Sequence, residues 1–544
     1  MTESLLIAMA QCNFLVGDIA GNCDLMLSEV DAARNRGVDL ILFSELALTG
    51  YPPEDLLLRP SLQLRVETAI KRLAAASHDI AIVAGFPWRE DERLYNCAGV
   101  WYQGESLGRY AKQCLPNYQV FDEKRYFSVG DQPLVVNIAG VHLGLTICED
   151  IWYTGPAEQS VAAGAELILN LNASPFHLGK QTERLTVLRE HIGRLGVPIV
   201  YVNQVGGQDE LVFDGASFAL DATGLCVAQL PEYQAATADV RFSASVLQAA
   251  NAAPVVEAHE HELASLYNAL VLGVRDYVNK NHFKGVILGL SGGIDSALTL
   301  AIAVDALGAD RVQAVMMPFA YTSDMSKEDA AQQAQVMGVR YQSISIAPMY
   351  EQFMGALAQE FAGLPVDATE ENLQSRCRGV LLMAISNKTG YMVLTTGNKS
   401  EMAVGYATLY GDMAGGYGAL KDVYKTRVFA LAQYRNSIGE GEVIPQRVID
   451  RPPSAELAPD QVDEDSLPPY PVLDTILENY IEQDMSAEAI IASGFDRDDV
   501  MRVLRLVDVN EYKRRQAPVG VRVTRRGFGR DRRYPITSGW RAGI

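Results

Sequence analysis

From Leu5 to about Val240, short apolar runs alternate with longer stretches in which apolar positions recur every three or four residues. The runs LLIAMAQ, VDLILFS, IAIVAGF, VHLGLTI, ELILNLN and PIVYVNQ are rich in β-branched and aliphatic side chains, which predicts strands. Segments between them, such as NCDLMLSEVDAARNRG with asparagine at its start and glycine at its end, predict helices. LVVNIAGVHLGL and SFALDATGLCVAQL read as hairpins with small or turn-forming residues at the bend. A mixed sheet covered by helices is the expected product.

Near residue 250 the pattern lapses into QAANAAPVV, small and featureless, which predicts a linker over 246–258 between domains at 1–245 and 259–544. A helix follows, with Leu263, Leu266, Leu270 and Val274 at three- and four-residue spacing. The runs GVILGL, RVQAVMMPF, VRYQSISI and YMVLTTG then alternate with helical segments, the pattern of a parallel, doubly wound α/β sheet. No internal repeat connects the two halves.

The length of 544 residues exceeds what one core usually supports, in keeping with two domains. No run of 18 or more apolar residues occurs, so no membrane span is expected. The start MTESLLIAMAQCNF lacks a basic segment and reads as a first strand, not a signal peptide. Seven cysteines without a CxxC pair suggest reduced thiols and a cytoplasmic location. A net charge of −21 opposes nonspecific binding to nucleic acid. The basic stretch KRRQAPVGVRVTRRGFGRDRRYPITSGWR is an exception, open to reading as a solvated tail or as a segment beside an anionic substrate or a subunit contact.

Between GVILGL and the next helical run stands SGGIDS, where a phosphate-cradling loop would sit. Gly292 and Gly293 allow close backbone approach to a phosphate, and Ser291 and Ser296 carry hydroxyls. The lysine of a γ-phosphate-transfer loop is missing, and Asp295 stands in the loop instead. TTGNKSE ends the strand YMVLTTG, where ligands of such sheets bind, and ENLQSRCRG places Asn372, Arg376 and Arg378 on a helix, two arginines that could meet phosphates.

SGGIDS resembles the pyrophosphate loop of the N-type ATP pyrophosphatases. With TTGNKSE, GDMAGGYGALKDVYKT and RPPSAEL it is similar to the synthetase domain of the NAD synthetase family, of Rossmann-like fold. The resemblance implies a site that takes ATP and deamido-NAD. It implies ATP binding at Gly289, Leu290, Ser291, Gly292, Gly293, Ile294, Asp295 and Ser296, with Thr396 and Lys425. It places deamido-NAD at Asn372, Arg376, Glu401 and Lys513, and Mg²⁺ on Asp295 and Glu401.

In the first half, LILFSELALTGY, RYAKQCLPNYQVFDEKRYF and VHLGLTICEDIW deliver Glu45, Lys112 and Cys148 at or after strand ends. A glutamate that shuttles a proton, a lysine that stabilises an oxyanion and a thiol are sufficient for amide hydrolysis through a thioester, without histidine. A lone cysteine is more often a small core residue. The set as a whole resembles the nitrilase superfamily, and within it the glutaminase domain of glutamine-dependent NAD synthetases. That resemblance implies an αββα sandwich, with Glu45 as base, Lys112 at the oxyanion and Cys148 as nucleophile. It makes Glu123 a second glutamate that orders the glutamine site, and Tyr118, Glu149, Ser174 and Lys180 its binding residues. A homo-oligomer is expected by the same analogy. Other glutamine amidotransferases of this ATP-loop class, and a nucleotide sensor with an inactive amidase domain, remain alternatives at this point.

Overall fold

The strand expected at LLIAMAQ is Ser4–Gln11 (β1), and its two faces go to two different cores. Leu5, Ile7 and Met9 enter one, while Leu6, Ala8 and Ala10 enter the other, the alternation of a strand covered on both sides. The computed structural model describes residues 4–250, 262–439, 441–454, 456–457 and 467–540. It divides into two compact units, Met1–Glu260 and His261–Ile544.

In the first unit β1 is followed by α1 (Ile19–Asn35), β2 (Leu40–Leu42), α2 (Pro60–Ala76), β3 (Ala81–Glu90), β4 (Arg93–Tyr102) and β5 (Glu105–Ala111). Then come β6 (Val135–Ile138), β7 (Val141–Ile147), α3 (Thr154–Ala162), β8 (Leu167–Asn172), α4 (Lys180–Leu195) and β9 (Ile199–Asn203). The unit continues with β10 (Val205–Gln208), β11 (Leu211–Asp214), β12 (Phe218–Leu220), β13 (Cys226–Gln229), β14 (Ala236–Ser243) and β15 (Val246–Ala249). One sheet has the order β15-β14-β1-β2-β3-β4-β5, a second the order β13-β12-β9-β8-β7-β6, and β10 pairs with β11 apart from both. Leu5 and Ile7 meet Leu143, Leu145, Leu169 and Val200 between the two large sheets. Outside, Ala8 and Ile82 pack under Val30 of α1 and Val66 of α2, while Ile168 and Tyr201 pack under Leu188 and Ile192 of α4. This is the αββα sandwich the resemblance implied.

Two local expectations change. The first helix is capped by Asp18, whose Oδ1 accepts from Gly21 N at 3.0 Å, and not by Asn22. Asn22 is buried and ties Leu15 and Leu48 through its amide. The expected linker 246–258 begins inside β15, which pairs with β14 in the register Ser243↔Val246. An edge strand needs only one covered side chain here, Leu247, so its composition looked featureless. Residues 251–258 lie outside the described residues.

The second unit opens with α5 (Glu262–Lys280), in which Leu266, Leu270 and Val274 are buried and Leu263 is half-buried. It continues with β16 (Val286–Gly289), α6 (Ile294–Leu307), β17 (Val312–Met316), α7 (Asp324–Val336), β18 (Arg340–Ser343), α8 (Ala347–Leu357), α9 (Ala368–Thr389) and β19 (Met392–Thr395). After these stand α10 (Lys399–Val404), β20 (Tyr417–Gly418), α11 (Lys425–Ser437), α12 (Gln446–Asp450), α13 (Tyr470–Ile481), α14 (Ala487–Ala492), α15 (Arg497–Val509) and α16 (Glu511–Arg514). Its sheet is parallel, in the order β18-β17-β16-β19-β20. Chain order reverses between β16 and β19, so the crevice beyond their carboxyl ends is where a doubly wound sheet binds ligands. Ile287, Val315 and Val393 pack against Cys377 and Leu382 of α9 on one face of the sheet. A separate helical core joins α13, α14 and α15 through Leu473, Ile476, Ile490, Val503 and Leu504.

The basic stretch at 513–541 is not a free tail where it is described. Arg522 pairs with Asp531 at 2.6 Å, while Arg514 and Arg532 pair with Glu511 at 2.9 and 3.1 Å, all buried. Among the described residues no helix is long and apolar enough to cross a membrane.

Candidate active sites

In the first unit Lys112 directly follows β5, Cys148 directly follows β7, and Glu45 lies in the turn after β2. Three strand ends, drawn from both large sheets, therefore deliver them to one place. Lys112 Nζ donates to Glu45 Oε1 at 2.7 Å and to Glu123 Oε1 at 2.9 Å, with the lysine and Glu45 side chains wholly out of solvent. Glu45 is fixed further by Asn96 Nδ2 at 2.7 Å and by the Ala173 backbone N–H at 3.0 Å. Tyr51 donates its hydroxyl to Glu123 Oε1 at 2.8 Å. The Glu45 turn runs tightly over Gly85 of β3, where a Cβ would stand 2.3 Å from Leu46 N.

Electrostatics follow from this burial. Desolvation works against the Lys112 ammonium, but Glu123 and Glu45 outweigh it and its pKa rises well above the ordinary value. Burial pushes Glu123 up to about 7 despite the lysine. Burial and the Glu45 charge hold the Cys148 thiol well above its usual range, and Lys112 offsets only part of this. Cys148 therefore rests as a thiol, and any attack by its sulfur would need proton removal to accompany it. Cys148 also has φ of 42°, a left-handed conformation in which a non-glycine residue is strained.

Asp150 joins two of these strand ends. Its Oδ1 accepts from Gln113 N and Cys114 N at 3.0 and 2.7 Å, and its Oδ2 from Ile147 N and the Tyr110 hydroxyl at 3.0 and 2.8 Å. One buried carboxylate thus fixes the lysine segment against the cysteine turn. The expected glutamine residues lie around the same thiol. Tyr118 donates to both Glu149 oxygens at 2.9 and 3.0 Å. Lys180 Nζ sits 3.9 Å from the Trp152 ring centroid and 3.5 Å from Glu183, and burial lowers its pKa. Ser174 is held by the fully buried Arg184, which donates to its carbonyl at 2.8 Å and pairs with Asp214 at 2.6 Å. Asn96, Tyr51, Asp150 and Arg184 carry no motif of their own, and only their shared burial and partners reveal them.

In the second unit the SGGIDS loop turns out of β16 into α6. Gly292 has φ of 79°, and a Cβ there would stand 2.3 Å from Ser326 O, so the position requires glycine. The serine hydroxyls brace the loop on itself: Ser296 Oγ donates to Gly293 O at 2.9 Å and lies 3.1 Å from Ser291 Oγ. The loop borders a cavity of about 310 Å³ that also touches Thr396, Glu401 and Lys425. Gly289, Leu290, Ser291, Gly293, Ile294, Asp295 and Ser296 line it, while Gly292 shapes the turn behind.

Asp295, Glu401 and Lys425 come from the first turns of α6, α10 and α11. Lys425 Nζ bridges Asp295 Oδ2 at 2.6 Å and Glu401 Oε1 at 3.1 Å. Asn398, the cap of α10, donates to Asp295 Oδ1 at 2.8 Å. Arg451, from RPPSAEL, donates to Gly292 O and to Ser326 Oγ, and that serine donates to Glu456 at 2.7 Å.

Asn372, Arg376 and Lys513 do not line this cavity. They gather on the neighbouring segment 405–409. Thr408 donates to Asn372 Oδ1 at 2.8 Å, Arg376 Nε to Leu409 O at 3.2 Å, and Lys513 Nζ to Gly405 O and Ala407 O at 2.8 and 2.9 Å. Tyr406 of that segment and Glu401 border the cavity, so the two clusters adjoin.

Both halves match known families. The carbon-nitrogen hydrolase profile matches residues 6–252, and the NAD synthase profile matches residues 266–517. The glutamine-dependent NAD(+) synthetase of Acinetobacter baylyi is 52% identical over 542 residues, covering 99% of each chain. That of Thermotoga maritima is 44% identical, over 98% of this chain and 99% of its own. A solved glutamine-dependent NAD+ synthetase from Acinetobacter baumannii, in complex with ADP, is 49% identical with a TM-score of 0.80, covering 99% of this chain and 100% of that one. The fold alone is shared with the Cytophaga hutchinsonii glutamine-dependent NAD(+) synthetase, at 22% identity and a TM-score of 0.84 over 98% of both chains. Identity at this level, running through both units in the same order, shows that the chain belongs to the glutamine-dependent NAD(+) synthetase family.

Proposed function

We propose that the first unit hydrolyses glutamine to glutamate and ammonia, and that the second uses ammonia and ATP to amidate deamido-NAD to NAD, releasing AMP and pyrophosphate. The observation that carries this reading is one chain holding both a buried Glu45–Lys112–Cys148 cluster and a pyrophosphate-type loop at the switch point of a parallel sheet.

In the first reaction Cys148 Sγ attacks the glutamine side-chain carbonyl as Glu45 takes the thiol proton. Lys112, held by its two glutamates, faces the developing oxyanion. Glu45 returns the proton to the leaving nitrogen, and water then resolves the thioester. Tyr118, Glu149, Ser174 and Lys180 hold glutamine, and Glu123 keeps Lys112 in place. Their grouping around the thiol supports these roles.

In the second reaction the nicotinate carboxylate attacks the ATP α-phosphorus, and pyrophosphate departs against Ser291–Ser296. Ammonia then attacks the acyl carbon and AMP leaves. Asp295 and Glu401 would hold Mg²⁺, and their oxygen donors, converging on one cation in Lys425, suit a hard ion that also takes phosphate oxygens. When bound, the ion supplies charge stabilisation for the leaving pyrophosphate. Thr396 and Lys425 complete the ATP site, while Asn372, Arg376 and Lys513 with Glu401 form the deamido-NAD side.

We also propose a homo-oligomer of cytoplasmic location. Seven unpaired cysteines support the location. Exposed Val380 and Met383 on α9, with Phe353 on α8, support the assembly. The test of function is NAD formation from deamido-NAD, Mg²⁺·ATP and glutamine, with ammonium salt as the alternative donor. Absence of NAD with both donors would refute the reading.

A further inference from the structure

Three cations line the synthetase cavity, and two of them are committed to protein groups. Lys425 is taken by Asp295 and Glu401, and Arg451 by Gly292 O and Ser326 Oγ. Arg378, midway along α9, differs. Its Nε donates to the carbonyl of Met317 at 3.1 Å, and its two terminal nitrogens have no hydrogen-bond or ion-pair partner among the described residues. Burial pushes its pKa down, and the Asp412 and Glu456 charges act on it without bonding it. Arg378 is half-buried on the cavity wall, so its two unmet donors stay open to the cavity, and a forked guanidinium placed there suits an anionic oxygen partner.

Its position narrows that partner. Met317 directly follows β17, on the side of β16 away from β19, whereas Asp295, Glu401 and Lys425 meet at the β16–β19 reversal. The helix α9 covers the face bearing Ile287, Val315 and Val393, and from it Arg378 lines the same cavity as the loop. A triphosphate whose β and γ groups lie at the loop and the paired carboxylates turns its nucleoside end toward β17. Its α-phosphate then lies between the loop and Arg378.

We propose that Arg378 is a nucleotide-binding residue, its terminal nitrogens taking an oxygen pair on the α-phosphate of ATP. This rests on the ATP-dependent reading of the second unit. Because the α-phosphate stays on the adenylate after pyrophosphate leaves, Arg378 would hold the nucleotide through both halves of the reaction. Its neighbour Arg376, bound to Leu409 O outside this cavity, has no such role.

The test is calorimetric titration of the full chain and of Arg378→Gln with ATP, AMP and adenosine. Removing a charge-assisted, bidentate pair of hydrogen bonds should weaken ATP and AMP by the same factor, about ten- to a hundredfold, with adenosine within twofold of wild type. Unchanged AMP affinity beside weakened ATP would overturn the α-phosphate assignment. Equal weakening of adenosine, or no change in any ligand, would overturn the role altogether. If the glutamine variant does not fold, Arg378→Lys decides: it keeps a cation but loses the fork anchored on Met317. A several-fold loss for ATP and AMP alike is then expected, and wild-type affinity for ATP would overturn the proposal. Wild-type NAD synthesis, measured alongside, separates failure of this assignment from failure of the reaction itself.

Discussion

Replacing Lys112 with methionine keeps most of the length of the side chain and removes its charge. Two hydrogen bonds vanish, at 2.7 Å to Glu45 and 2.9 Å to Glu123, in a place from which water is excluded. Each charge-assisted hydrogen bond in such a setting contributes about 1.5–3 kcal/mol. Breaking a buried pair leaves the remaining charges uncompensated, for about 3–5 kcal/mol in all. Glu123 sets how much of that range is seen. Its carboxyl is already pushed up to about 7, so without the lysine it takes up a proton near neutrality and relieves part of the penalty. The loss should therefore stand near the lower figure at pH 6 and grow toward the upper one at pH 8, where a proton is harder to retain. Trp88, Trp101 and Trp152 all lie in the first unit, so tryptophan fluorescence during urea unfolding reports chiefly on it. Glutamine-dependent synthesis should fall by about a hundredfold or more, with ammonium-dependent synthesis largely kept. A loss below about 1 kcal/mol at both pH values, with glutamine hydrolysis within tenfold of wild type, would refute the placement of this ammonium at the centre of the site.

Cys148→Ala should abolish synthesis from glutamine and leave synthesis from ammonium salt largely intact; loss of both in a folded protein would contradict the division between units. Asp295→Asn should slow synthesis from either donor by about a hundredfold or more, since it removes charge where pyrophosphate departs, and near-normal ammonium-dependent turnover would remove Asp295 from the reaction. Gly292→Ala forces a Cβ to 2.3 Å from Ser326 O at a φ of 79°. The strain of about 1–3 kcal/mol should distort the loop and raise the KM for ATP with both donors, and an unchanged KM would show the loop to be dispensable for ATP.

Cys148 and Ser291 stood out because each follows a strand whose apolar run is plain, VHLGLTI and GVILGL. Most strands and their helical crossovers followed from the same alternation. Less legible were features fixed only by contacts distant in the chain. Asp150 shows no more in sequence than a charged neighbour of Cys148, yet it fixes two strand ends at once. The edge strand β15 and the two-residue β20 hold too few apolar side chains to make a periodic signal. Asn22 looked like a cap because caps and buried amides draw on the same residue types, and only its bonds to Leu15 and Leu48 separate the two. The basic stretch left a solvated tail open as a reading because its acidic partners, Glu511 just ahead of it and Asp531 within it, are few beside its many basic residues, and only the fold shows which charges they pair.

The resting thiol of Cys148 has a consequence for chemical selectivity. Alkylating agents and peroxides react with thiolates far faster than with thiols, so a buried cysteine whose proton is held is a poor target for electrophiles that do not resemble its substrate. The same property sets a rule for covalent inhibitors of this site. On the proposed roles, the warhead must be carried by a group that binds as glutamine does, because only an occupant that places its reactive carbon against Sγ would let Glu45 take the proton as the bond forms. Reactivity alone would spend itself on other thiols in the cell; shape is what would bring it here.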